Sequence, residues 1–153
     1  MKYRRLSIEE LNIFEKEFID FLVVNGIDAD SWEVMKTEEV DKADGIVDAF
    51  SDMIMETVLR KTQYLAFHGT NNVRAFHCLQ DQMVMVSVVG KEDFGDQSWN
   101  ELLTSGKLEC FHSSKPYEVG REEDMFQLIE SGCEISDGEL FKQLSLLMAS
   151  TQG

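Results

Sequence analysis

Apolar residues recur along the first sixty positions at the spacing of amphipathic helices. Ser7-Ile8-Glu9-Glu10 forms a capping box, and the helix it opens carries Leu11, Phe14, Phe18, Phe21 and Leu22 on one face. Asn25-Gly26 is placed to end it. Asp30 reads as the N-cap of a short helix through Met35. A third helix is expected from about Glu38 to Lys61, with Ala43, Ile46, Val47, Phe50, Met53, Ile54 and Val58 as its apolar face. Arg60 and Lys61 suit the negative C-terminal end of that helix.

The period then changes from helical to alternating. Thr62 to Phe67 reads as a short strand, and Val73–Leu79 and Met83–Val89 as a hairpin around Asp81-Gln82. In that hairpin Val73, Ala75, His77 and Leu79 share a face with Val84, Val86 and Val88. Asp96 or Ser98 starts a short helix with Trp99, Leu102 and Leu103, stopped by Gly106. Lys107 to His112 reads as another strand, followed by a Ser113-Ser114-Lys115-Pro116 loop. Two helices finish the chain: Glu122–Glu130, and one opened by a second capping box at Ser136-Asp137-Gly138-Glu139. The expected fold class is α+β, with N-terminal helices, a small central antiparallel sheet of three to four strands and C-terminal helices. No repeat or linker interrupts residues 1–153, so one compact domain is expected.

Composition changes this picture chiefly through charge. Asp and Glu number 29 against 14 Lys and Arg, a formal net charge of −15. The excess is even: residues 1–62 carry 8 basic and 15 acidic groups, net −7, leaving −8 for residues 63–153. Such a surface repels nucleic acid and anionic membranes at long range, so neither is an expected partner. A protein partner, basic by charge complementarity, is the contact this surface suits. The basic start, Lys2, Arg4 and Arg5, lacks the apolar run that a secretory signal requires, and the densest apolar stretch, Phe18–Val24, is seven residues, contains Asp20 and is too short to span a bilayer. With three widely spaced cysteines, an odd number, a cytoplasmic protein with reduced thiols is expected. The basic start itself reads as a solubilising terminus.

Some segments are distinctive in combination. Lys2-Tyr3-Arg4-Arg5-Leu6 precedes a helix ending in Phe21-Leu22-Val23-Val24-Asn25-Gly26-Ile27. Phe50-Ser51-Asp52, Val58-Leu59-Arg60-Lys61 and Tyr64-Leu65 come next. Lys115-Pro116-Tyr117, Arg121-Glu122-Glu123 and Ile135-Ser136-Asp137-Gly138 with Leu140-Phe141 follow near the end. Together they resemble a family of small acidic bacterial proteins catalogued only as a domain of unknown function. The resemblance covers nearly the whole chain and implies a compact cytoplasmic domain; it brings no activity, substrate or catalytic residue.

Motifs with known chemistry are absent or incomplete. Asp93-Phe94-Gly95 matches a kinase triplet without the accompanying glycine-rich loop. Asp28-Ala29-Asp30 with Glu39 partly mimics a calcium loop, but Trp32 and Glu33 occupy positions that need a ligand and a glycine. Two candidate sites remain. His77, Cys110 and His112 fall on expected strands and His68 at the end of another, and imidazole with thiolate is zinc-binding chemistry. The paired spacing of zinc motifs is missing, so a core histidine and a buried thiol are the stronger reading. Lys115, Tyr117 and Arg121 concentrate cations and an aromatic ring in a chain poor in both Lys and Arg, a setting for an anion or a partner. Pairing of Lys115 and Arg121 with the nearby Glu118, Glu122 and Glu123 is the simpler alternative. No cofactor is expected, and the oligomeric state is left open. The function class the sequence favours is a non-enzymatic interaction or regulatory protein; the alternative is a metal protein or enzyme using the His/Cys set.

Overall fold

The N-terminal helices form as their apolar spacing dictates, with one break. In the computed structural model, which describes residues 1–91, 93–95, 101–102, 106 and 108–152, Ser7 caps helix α1 (Ile8–Ile13) through the expected capping box. Phe14 then leaves helical geometry, so the single helix expected to Asn25 is two, α1 and α2 (Glu15–Val24). Asp28, not Asp30, caps α3 (Ala29–Glu38), its carboxylate accepting from the Ser31 N–H. The long helix α4 runs Val40–Lys61.

Contacts distinguish two compact units, residues 1–58 and 59–153. The boundary falls inside α4. In the first unit Phe50 is fully buried, with the rings of Phe18 and Phe21 at 5.0 and 5.5 Å. Phe18 also meets Trp32 edge-on at 5.3 Å. This aromatic cluster joins the apolar faces read from α2 and α4, with Trp32 of α3 added to them.

The basic start is a strap. Asp44, Asp48, Asp52 and Glu56 recur every fourth position on α4 and so form one stripe. Arg5 Nε donates to Asp48 at 2.7 Å, and Arg5 Nη1 lies 3.6 Å from Asp44. The backbone N–H groups of Lys2 and Tyr3 donate to the two oxygens of Asp52, and Lys2 Nζ and the Tyr3 hydroxyl reach Glu56. Beneath them the buried Ser51 hydroxyl accepts from the Leu6 N–H and donates to the Val47 carbonyl. Thus the Lys-Tyr-Arg-Arg-Leu and Phe-Ser-Asp motifs are two halves of one structural device.

Arg4 grips Glu10 with both guanidinium nitrogens, at 2.8 and 3.0 Å. That grip, with the Ser7 N–H, holds the Glu10 carboxyl at about 2, below its usual 4.5. A depressed folded-state value stabilises the fold above pH 4.5, and the contribution is lost as pH falls toward 2. The stability of the chain is therefore expected to decline across that window, and Glu10→Gln to flatten the decline. Denaturant unfolding at a series of pH values checks this; equal slopes for both proteins would refute it.

The second unit is built on a five-stranded antiparallel sheet of order β4-β3-β2-β1-β5. The strands are β1 (Tyr64–His68), β2 (Asn72–Cys78), β3 (Gln82–Gly90), β4 (Leu108–Pro116) and β5 (Glu134–Ser136). Helices α5 (Arg121–Glu130) and α6 (Glu139–Gln152) follow β4. The strand count is five rather than three to four. The extra strand, β5, is three residues long, too short to show a period, and it takes Ser136 out of its expected capping role. Instead the Gly138 carbonyl opens α6 by accepting from the Lys142 N–H. Gly138 has φ +96°, and a Cβ there would sit 2.8 Å from the Tyr64 ring, so only glycine fits.

Two further expectations change. The hairpin closes through Leu79 N–H to the Gln82 carbonyl, so its turn is Gln80-Asp81. Moving the turn by one residue shifts each cross-strand partner by two and preserves the faces. The expected Ser-Ser-Lys-Pro loop is strand, since Ser113, Ser114, Lys115 and Pro116 pair with Met85, Val84, Met83 and Gln82. The short helix expected around Trp99 and Leu103 lies outside the described residues.

The two faces of the sheet differ in kind. One presents Val73, Ala75, Val86 and Val88, buried under Leu144 and Leu147 of α6 together with Phe94 and Leu102. The other presents Phe76, Met83, Met85, Phe111 and Lys115.

Candidate functional site

The methionine face carries the site. Phe76 of β2, Met83 and Met85 of β3 and Leu128 of α5 line a cleft of about 400 Å³. Alternation places these β-strand residues on one side, and the amphipathic α5 supplies the opposite wall. The rim is polar: Arg74, Ser113, Lys115, Tyr117, Glu118 and Asp124 among others. An apolar floor with a few polar groups is the usual make-up of a binding pocket.

The anion-site candidates separate here. Lys115 and Tyr117 both line the cleft. Lys115 is exposed and has no ion pair among the described residues. The Tyr117 hydroxyl reaches the carbonyls of Leu79 and Gln82, bracing the hairpin turn. Burial pushes its phenol up to about 12. Arg121 is elsewhere engaged: its guanidinium donates to the backbone carbonyls of Leu59 (3.0 Å), Thr62 and Cys78 (3.1 Å). It ties the C-terminal turn of α4 and the loop after it to the end of β2. Its donors meet main-chain oxygens rather than neighbouring glutamates; Arg60 instead approaches Glu122, at 3.8 Å. Asp124 accepts from the N–H groups of Glu118 and Val119 and so shapes the loop at the cleft mouth.

His68, His77, Cys110 and His112 share the valine face, as alternation implies, but the face is several strands wide. Cys110 and His112 lie two apart on β4, whereas His77 is two strands away and His68 three. At roughly 4.8 Å per strand these gaps are about 10 and 14 Å, filled by the valines of β3 and β2. His77 is held between aromatic rings, stacked on Tyr64 at 4.4 Å and edge-on to Phe141 at 5.4 Å. Burial lowers its pKa. Among the described residues no three His, Cys, Asp or Glu side chains are grouped as metal ligands. Burial raises the thiols of Cys78, to about 11, and of Cys110 and Cys133, away from the thiolate form that nucleophilic chemistry needs.

Sequence reasoning missed the cleft floor. The available signal was the second face of the hairpin: Met83 and Met85 alternate with Val84, Val86 and Val88, so one side is β-branched and the other flexible.

A family model described as a family of unknown function, DUF6495, matches residues 1–149. The chain belongs to that family. No curated protein and no solved structure matches it. Several of the segments quoted for the resemblance fall on the strap (Lys2 to Leu6 against Phe50-Ser51-Asp52), on the Tyr117 and Arg121 ties, and on the glycine beside Tyr64. No described helix is long and apolar enough to cross a membrane.

Proposed function

We propose that the protein is a non-enzymatic interaction or regulatory protein of the bacterial cytoplasm that takes a protein partner at the cleft on its methionine face. The observation that carries this reading is the cleft floor, an apolar recess lined by Phe76, Met83, Met85 and Leu128. Methionine side chains adapt to varied apolar shapes, which suits contact with a protein surface. The net charge of −15 supports a basic partner around the apolar contact and disfavours polyanions. The three free thiols support a reducing compartment. No cofactor is part of the reading.

The test compares the wild-type chain with Met85→Glu as baits in bacterial lysate, both checked by circular dichroism. A stoichiometric protein retained by the wild type and depleted at least about tenfold by the variant is expected, since interface cores reject an unpaired charge. A wild-type bait that returns no stoichiometric protein, or a variant that keeps the same one, counts against the proposal.

A further inference from the structure

Strand β4 ends the sheet on one side. Hydrogen bonds from Leu79 N–H to the Gln82 carbonyl (3.0 Å) and from Gly90 N–H to the Asn71 carbonyl (2.7 Å) direct the even-numbered residues of β3 toward β2. Antiparallel ladders alternate, so the odd-numbered residues of β3 bond β4, through Glu109, Phe111, Ser113 and Lys115. The N–H and C=O groups of Leu108, Cys110, His112 and Ser114 therefore point away from β3, along an edge that pairs with no described strand. Side chains from Phe111 to Pro116 are exposed, Phe111 by 47%.

We propose that β4 pairs antiparallel with β4 of a second copy, across a two-fold axis at His112, to form a continuous ten-stranded sheet. His112 is the midpoint of Leu108–Pro116, so this register uses the whole strand. It sets the outward backbone groups of Cys110 against those of Ser114 in the second copy, and His112 against His112. It also sets Glu109 opposite the second copy's Lys115, and by symmetry Lys115 opposite Glu109. These charged pairs fall at the non-hydrogen-bonded positions of the new ladder, where side chains approach most closely. The strand is thus complementary in charge to itself read backwards.

Neighbouring registers lose that match. Outward groups must meet outward groups, so the axis moves only to Phe111 or Ser113. At Phe111, Glu109 faces Ser113; at Ser113, Lys115 faces Phe111. A lysine on an edge strand ordinarily discourages pairing, but in the His112 register each lysine meets a carboxylate. Among the described residues neither Glu109 nor Lys115 has an ion pair within its own chain. An axis normal to the sheet leaves the methionine faces of both copies on the same side, with two clefts opening in one direction.

Sedimentation velocity on the full chain over a concentration series tests the proposal. The wild type is expected to dimerise. Glu109→Lys and Lys115→Glu are each expected to weaken the dimer by about tenfold or more, since each places two like-charge pairs across the axis. Combining the two substitutions restores opposite charges and is expected to restore the dimer. Circular dichroism verifies that each variant is folded. A wild type monomeric throughout overturns the proposal and leaves the edge to a strand from another protein. A dimer indifferent to both single changes, or one the combined variant fails to recover, overturns it equally.

Discussion

Replacing Phe50 with alanine is expected to destabilise the unit formed by residues 1–58 by about 3–5 kcal/mol. Phe50 has no exposed surface, and its ring touches those of Phe18 and Phe21. Truncation removes the buried ring and leaves a cavity that surrounding aromatic rings, fixed by their own neighbours, fill poorly. Edge-on ring contacts add about 0.5–1.5 kcal/mol beyond burial, so Phe50→Leu, which loses the ring but leaves a smaller cavity than alanine, is expected to cost less than alanine yet stay measurable. Urea unfolding, followed by the fluorescence of Trp32 beside Phe18, measures the change. An alanine variant within 1 kcal/mol of the wild type, roughly the scale of a surface substitution, would show that Phe50 is not the centre of this core.

Arg121→Met is expected to destabilise the second unit by about 2–4 kcal/mol although it removes no apolar contact. Thr62 and Cys78 are buried, and their carbonyls accept from the guanidinium. Without it those acceptors lose a charged donor in a place water reaches poorly, and that loss outweighs the ordinary net value of a hydrogen bond. Arg121→Lys is expected to recover only part of the stability, because an ammonium is a point donor and cannot fork between α4 and β2. The midpoint of denaturant unfolding should order wild type, lysine, methionine from most to least stable. A lysine variant equal to wild type would mean that charge alone, not the fork, holds the carbonyls.

How far the sequence discloses this molecule depends on the range of the interaction concerned. Apolar spacing of 3.6 locates α2, α3, α4, α5 and α6, and alternation assigns the hairpin faces correctly even with its turn misplaced by one residue. The break at Phe14 is not visible, because the apolar stripe runs through it unbroken. Strand β5 is hidden by its length, and β4 beyond His112 by its polar composition, since its pairing is set by β3 rather than by its own pattern. The candidate site divides along the same line. Lys115 and Tyr117 stand out as a local cluster and do line the cleft. Arg121 belongs to that cluster in sequence, yet its partners lie 43 to 62 residues away. The histidines share a face as alternation requires, but strand order decides their separation, and no local pattern encodes strand order.

The strap over α4 has a consequence for any shortened form of this chain. Four carboxylates at every fourth position repel one another along a helix, and the cations of the first five residues stand among them as fixed counter-ions. Trimming those residues is therefore not the loss of a loose end. It hands the neutralisation of α4 to dissolved salt, and turns a helix whose stability is largely internal into one that depends on the ionic strength of its surroundings.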